Sequence, residues 1–349
     1  MSYQFLEDTG ASIPLICGAM YPCSNEELIA SVVASGAVGV VQPLSTIFAH
    51  GGDLRSTLRR LQQQNQGGAI GFNALVEKSS KVYENRMKKW VDIALDEGVR
   101  FFITALGNPD WVVEKVHAAG GVVYHDVTER KWAKRALRED VDGLICVNGR
   151  AGGHAGATPA GELYEELSDL GVPLVAAGGV GSTEQYIEML EIGYEAVQLG
   201  TRFIATEECD THDDYKQAIV DAEAEDIVLT RRISGVPVSV IETEFVRQVG
   251  TEAGPIAQWL LQHPTFKHWM RAWYSVRSLF KLARGNKRSG GYDDYWQAGK
   301  SVAGIHEVKA VADIVEEFRQ ALLEHDPKNP SMKALKAAME ERRVTDLAS

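Results

Sequence analysis

Between Ile13 and Leu199, short runs of apolar residues recur along the chain, each followed by a stretch with helical spacing. The runs occupy positions 13–17, 38–42, 69–73, 100–105, 122–125, 143–147, 173–177 and 196–199. Their apolar residues follow one another without in-and-out alternation, the pattern of parallel strands covered on both faces. Their starts recur about every 26 residues, close to the length of one compact strand-plus-helix unit. Eight such units predict a (β/α)8 TIM barrel. A doubly wound open sheet also alternates strand and helix and is the competing architecture. The count of eight favours the barrel.

The segments between the runs carry helix signals. Ser24-Asn25-Glu26-Glu27 reads as a capping box, with the serine oxygen and Glu27 each satisfying a free backbone N–H. Thr158-Pro159 and Asn108-Pro109 place a cap residue before a proline at the first helical position. Beyond Thr201 the rhythm changes. Residues 207–223 read as a polar helix and 227–241 as mixed and strand-like. Residues 255–284, rich in Trp, His and Arg, read as helical, followed by a glycine-rich break at 289–291 and by closing helices. The expected organisation is a barrel core over 1–205 and an accessory, mainly helical region over 206–349. The aromatic-basic segment would cover the barrel rim, its aromatics packed and its basic groups solvated.

Composition narrows the function classes. The 45% hydrophobic and 24% charged residues are those of a globular protein. A net charge of −12 argues against a nucleic-acid partner, which needs a basic surface. The four cysteines, Cys17, Cys23, Cys146 and Cys209, form no C-x-x-C pair. A disulfide framework and a zinc site are both disfavoured, and a cytoplasmic setting is expected. The first residues show no signal-peptide pattern. The most apolar stretch, 28–44, is broken by Ser, Gly, Gln and Pro and predicts a helix and a strand rather than a membrane span. His50 and His117 have no ligand-spaced partner, so no metal is expected.

A barrel places its active site at the carboxyl ends of its strands and grips phosphate with the loops after strands seven and eight. The glycines fall at those positions. Strand seven runs into Gly178-Gly179-Val180-Gly181 with Ser182 opening a helix, and strand eight into Gly200-Thr201. Glycine lets backbone N–H groups approach a phosphate, and a helix start adds partial positive charge. Ordinary βα turns also use glycine; two such loops at the two expected places favour phosphate. No G-x-G-x-x-G fingerprint is present, so a Rossmann-style NAD site is not expected. After strand six, Asn148-Gly149-Arg150-Ala151-Gly152-Gly153-His154-Ala155-Gly156 sets a histidine in a glycine-rich loop. There it can approach a bound ring and exchange protons near neutral pH.

These segments, with the opening Ile13–Met20, Gly71-Phe72-Asn73 and the late Trp296–Gly304, resemble the signature segments of the nitronate monooxygenase family, formerly 2-nitropropane dioxygenases. The resemblance runs in order through most of the chain. It implies an FMN-containing barrel. Ala19 and Met20 would lie beside the isoalloxazine and Asn73 near it. His125, Asn148 and Ala151 match further flavin-contacting positions, and Gly178, Gly179, Gly200 and Thr201 would bind the phosphate. His154 matches the catalytic histidine. Arg150 stands where many members carry an acid, and Lys300 where glutamine is common, departures that bear on substrate more than on cofactor.

The activity implied is oxidation of alkyl nitronates, or of nitroalkanes, by dioxygen to a carbonyl compound and nitrite. Sister groups with the same glycine and histidine segments reduce enoyl thioesters or quinones with NAD(P)H, and a flavin-binding protein without turnover is the third alternative. The expected partners are a small-molecule substrate and dioxygen, with neither nucleic acid nor membrane. A homodimer is one option among oligomeric states that the sequence leaves open.

Overall fold

Each of the eight apolar runs forms a parallel strand in the computed structural model, which describes residues 3–65, 67–77, 81–233, 237–252 and 295–348. The strands are β1 (Leu15–Cys17), β2 (Val38–Val41), β3 (Ile70–Leu75), β4 (Phe101–Ala105), β5 (Val122–Val127), β6 (Gly143–Val147), β7 (Leu174–Ala177) and β8 (Ala196–Leu199). They pair in chain order, and β8 returns to β1 with Val197 opposite Leu15. The sheet is therefore a closed barrel, and the open-sheet alternative is excluded.

Two glycines show which strand faces point inward. A Cβ on Gly71 would meet Val38, Val40 and Phe101 side chains, so that face looks to the barrel axis. A Cβ on Gly39 would strike Ile29 and Val33 of the outer helix Glu26–Ala34. Because successive strand residues alternate faces, the register carries this assignment around the barrel. The first helix, Gln4–Thr9, lies under the amino-terminal end. Its Phe5 ring meets Phe101 at 6.4 Å and Tyr124 at 6.2 Å, while the Tyr124 hydroxyl donates to Asp8 at 2.8 Å. The bottom is thus sealed by aromatic packing, and the opposite end is left for chemistry.

The outer helices follow β1 to β7 in turn. After β8 comes only the short helix Thr201–Ile204. The helix that packs between Thr183–Ile192 and Glu26–Ala34, closing the outer layer, is Val311–Glu324. Its Phe318 ring lies 5.1 Å from Tyr186, and Arg319 donates to the Ser35 carbonyl at 2.7 Å. Among the described residues, the stretch after residue 205 includes a segment inserted after β8 and a helix that completes the barrel's outer ring, with the helix Pro330–Ala348 after it. Within the insertion, residues 227–241, read as strand-like, contain the antiparallel hairpin β9 (Ile227–Thr230) and β10 (Val238–Ile241). The helix expected over 207–223 is confined to Asp213–Asp221. The aromatic-basic segment 255–284 and the glycine break 289–291 lie outside the described residues.

Three helix starts differ from the sequence reading. Ser24 does not cap its helix; its hydroxyl oxygen accepts the Met20 N–H at 2.9 Å, and the helix begins one residue later behind Asn25. Asn25 is itself diverted, donating to the Glu208 carbonyl at 2.8 Å. Pro109 and Pro159 occupy the cap positions themselves rather than the first helical turn. Tertiary hydrogen bonds at the barrel mouth claim the Ser24 and Asn25 side chains that local capping would have used.

Candidate active site

The loop after β7 is built to bring backbone close to a ligand. Gly178 and Gly179 have φ of 110° and 81°, conformations that side chains rarely adopt. A Cβ at Gly178 would strike the Ala151 backbone at 2.6 Å, and one at Gly179 would meet Arg150 side-chain atoms at 2.8 Å. Arg150 thus lies against the turn proposed for phosphate. Ser182 and Gln185 form a full capping box on the next helix, and Gln185 also accepts the Gly181 N–H at 2.7 Å. Gly181 itself packs against Ser301 and Ile305, serving the late segment rather than a ligand. After β8, Thr201 is buried, and its hydroxyl oxygen accepts the Gly299 N–H at 3.0 Å. Beside it, a Cβ on Gly200 would find only the Met20 thioether, at 3.5 Å. Met20 and the Gly200-Thr201 turn therefore adjoin at the mouth, with Ala19 partly buried beside Met20.

The loop after β6 is closed at its base by the Gly149 N–H donating to the Thr158 carbonyl at 2.9 Å. Asn148 is buried and spends its carboxamide on the protein. Its amide donates to the Gly178 carbonyl at 2.8 Å, and its oxygen accepts the Arg150 N–H at 2.8 Å. Its position locks the β6 and β7 loops together. The tip is held from outside, where the Ser239 N–H of β10 donates to the Gly153 carbonyl at 2.9 Å. Gly152 and Gly299 meet backbone to backbone, a Cβ at Gly299 coming within 2.6 Å of the Gly152 nitrogen. Trp296, just upstream, stacks on Tyr215 at 5.5 Å, and the Tyr215 hydroxyl donates to the Gln297 carbonyl. His154 is exposed at this braced tip, in surroundings crowded enough that desolvation lowers its pKa. The direction of that shift favours the neutral imidazole, the form that can accept a proton.

Inside the mouth, the register separates residues that are adjacent in sequence. Tyr124 points inward, so Asp126, two residues on, does too, and His125 faces the helices. His125 is buried, its Nδ1 2.8 Å from the Thr104 hydroxyl, and burial with the Arg135 charge lowers its pKa to about 4. The structure does not bring His125 together with the other predicted site residues. Asn73 does face inward on β3, and no hydrogen bond to its carboxamide occurs among the described residues. The sequence reading passed over two residues on that same inner surface. Asp126 Oδ1 and Gln198 Oε1 are both buried without a hydrogen-bond partner among the described residues. Asp126 was legible in principle: the fifth apolar run was cut at His125, and carrying the strand two residues further exposes an acid at its carboxyl end.

These features fit a phosphorylated flavin. The Gly178-Gly179 turn admits no side chain, and Asp126 Oδ1 and Gln198 Oε1, buried without a partner among the described residues, face the mouth with Asn73, where a polar heterocycle would be received. Such groups, left unpaired, cost roughly 1–3 kcal/mol each. No cluster suited to a metal ion occurs among the described residues, and none of their helices is long and apolar enough to cross a membrane.

A family model described as nitronate monooxygenase matches residues 5–321. Among relatives, a (3aS,4S,5R,7aS)-5-hydroxy-7a-methyl-1-oxo-octahydro-1H-indene-4-carboxyl-CoA dehydrogenase of Rhodococcus jostii is 25% identical over 244 residues, 70% of this chain and 66% of that protein. A probable nitronate monooxygenase of Staphylococcus saprophyticus is 25% identical over 251 residues, 68% of this chain and 67% of the relative. Among solved structures, FabK from Thermotoga maritima superposes with a TM-score of 0.75 at 24% identity, covering 99% of both chains. A nitroalkane oxidase from Streptomyces ansochromogenes gives 0.70 at 21% identity, also over 99% of both. At these identities the solved structures are similar in fold.

Proposed function

Because this chain belongs to the nitronate monooxygenase family, a family of flavin-dependent oxidoreductases, we propose that it uses FMN to oxidise alkyl nitronates or nitroalkanes with dioxygen, releasing a carbonyl compound and nitrite. The observation that carries this reading is the Gly153–Ser239 bond, which fixes the glycine-rich loop bearing His154 after β6. The FMN phosphate would be received by backbone N–H groups of Gly178, Gly179, Gly200 and Thr201. Ala19, Met20, Asn73 and Ala151 would border the ring. When bound, the flavin supplies the electron acceptance and dioxygen chemistry that side chains lack.

The protein's own part is proton handling and placement. A neutral imidazole would take the α-proton of a nitroalkane, converting it to the nitronate. A protonated His154 would instead attract a preformed nitronate, the form that desolvation of the ring disfavours. The base role is therefore the one this environment serves. A 1–205 barrel core with a 206–349 region acting on the same site remains our proposed division of labour, the late helix excepted. The expected setting is the cytoplasm.

A second reading has its own support, since the relative from Rhodococcus jostii is named as a dehydrogenase of an indene carboxyl-CoA. In that case electrons would pass between FMN and a thioester, with NAD(P)H as reductant for enoyl substrates. Anaerobic mixing of the purified protein separates the readings. Bleaching of the flavin by propyl-2-nitronate supports oxidation of nitronates. Rapid stoichiometric bleaching by NADH or NADPH, with no response to nitronates, assigns it to the reductases. Heat-released supernatant should hold FMN near one per chain, and a colourless protein that FMN cannot reconstitute overturns both.

A further inference from the structure

Beneath its mouth the barrel interior is apolar, lined by Ile103, Ile145 and Val175 on adjoining strands. Asp126 breaks that surface. It stands directly across the β5–β6 pairing from Ile145, on the same face as the sealed Tyr124 ring but toward the open end. Among the described residues its carboxylate has neither a hydrogen bond nor an ion pair, and Oδ1 is buried. A lone acid costs stability wherever it is ionised and unpaired, so its presence at the mouth calls for a ligand donor.

Resting on the FMN reading above, we propose that Asp126 receives the N3–H of the flavin's pyrimidine ring and so selects and orients the isoalloxazine. The chemistry is narrow. An oxidised isoalloxazine offers one ring N–H, at N3, set between two carbonyl oxygens. An ionised carboxylate only accepts hydrogen bonds, while the amides of Asn and Gln can donate. Asp126 on β5 therefore complements N3–H, and the unpartnered carboxamides of Asn73 on β3 and Gln198 on β8 complement the flanking carbonyls. The pairing also places a negative charge beside a ring that must take up electrons, which makes reduction harder. Charge near the ring is one of the few levers a protein has over flavin potential.

The test uses apoprotein titrated with FMN and with FMN methylated at N3, for wild type, Asp126→Asn and Asp126→Ala. Methylation removes the donor, so wild type should bind the methylated flavin about tenfold or more weakly, as for loss of one charge-assisted hydrogen bond. Asp126→Ala should bind the two alike, the acceptor being absent. In the holoprotein, Asp126→Asn should shift the flavin midpoint potential to a more positive value, since the charge is gone and the side-chain shape is kept. Equal preference for FMN over its methylated form in wild type and Asp126→Ala, with an unchanged potential in Asp126→Asn, overturns the assignment while leaving FMN binding intact. A wild-type protein that takes up neither flavin removes the FMN reading itself, and this inference with it.

Discussion

The backbone N–H of Ser239 donates to the carbonyl oxygen of Gly153 at 2.9 Å, fastening a strand of the inserted hairpin to the residue next to His154. The loop carrying the imidazole is thus held from two directions: by the β6–β7 loop contacts of Asn148 and by β10. Ser239→Pro removes that one donor on a two-stranded ribbon where proline is tolerated at an edge. Stability should fall by about 1 kcal/mol. Turnover of nitroalkane should fall much more than FMN content, measured as flavin released per chain. Unchanged turnover would show that the hairpin does not position the histidine.

His154→Ala should lower nitroalkane oxidation by about 10²–10⁴-fold, the usual worth of a general base. A preformed nitronate, already deprotonated, should lose less. Retained FMN, read from the visible spectrum, keeps the comparison clean. Equal activity of mutant and wild type on both substrates would leave His154 a merely structural role. The wild-type nitroalkane rate should hold at pH values below the ordinary histidine pKa, because the lowered pKa keeps the base unprotonated there.

Gly178→Ala and Gly179→Ala should not be equivalent. Both force a side chain onto a positive φ, at a cost of about 1–2 kcal/mol. The Cβ at 178 also meets the Ala151 backbone, whereas the one at 179 meets the flexible Arg150 side chain. Thermal denaturation should therefore show the larger loss for Gly178→Ala. A bulky residue at 179 should weaken FMN retention, since it fills the space assigned to the phosphate.

Asp126 makes the apoprotein's stability depend on pH. Burial raises its carboxyl to about 7 in the folded chain, against about 3.9 when unfolded. The folded state then holds a proton that the unfolded state has released, so the stabilisation is full below about pH 4 and is lost as pH rises through 7. The Cys146 thiol, on the opposite face of the wall, is itself pushed up by burial and by the Asp126 charge, so it stays neutral throughout. The melting temperature of wild-type apoprotein, measured against Asp126→Asn, should decline across that interval. Parallel curves for the two proteins would show that Asp126 does not titrate there.

The barrel was readable because its signal is long-range and repeated: eight buried runs at one spacing admit few topologies. The paired glycine turns and the histidine loop were readable because backbone conformation dictates residue type there. Asp126 and Gln198 were missed because inward and outward faces of a strand become distinct only once the register is known. That His125, one residue from Asp126, faces the helices is hidden for the same reason. The supports from Ser239, Gln297 and Gly299 join segments far apart in sequence, and no local pattern announces them. Ser24, taken for a helix cap, shows the reverse failure: a correct local motif overridden by a loop that needed the hydroxyl.

The Lys300 N–H donates to the Arg150 carbonyl at 2.9 Å, joining residues separated by 150 positions. Contacts of such separation form late, since the chain must first surrender the entropy of a large loop. All eight strands can pair before the late glycine segment docks, yet the loop bearing His154 gains its contacts with Gly299 and Lys300 only afterwards. Recovery of bound colour during refolding should therefore lag behind recovery of secondary structure. Colour in this protein is a clock for the last step of its assembly.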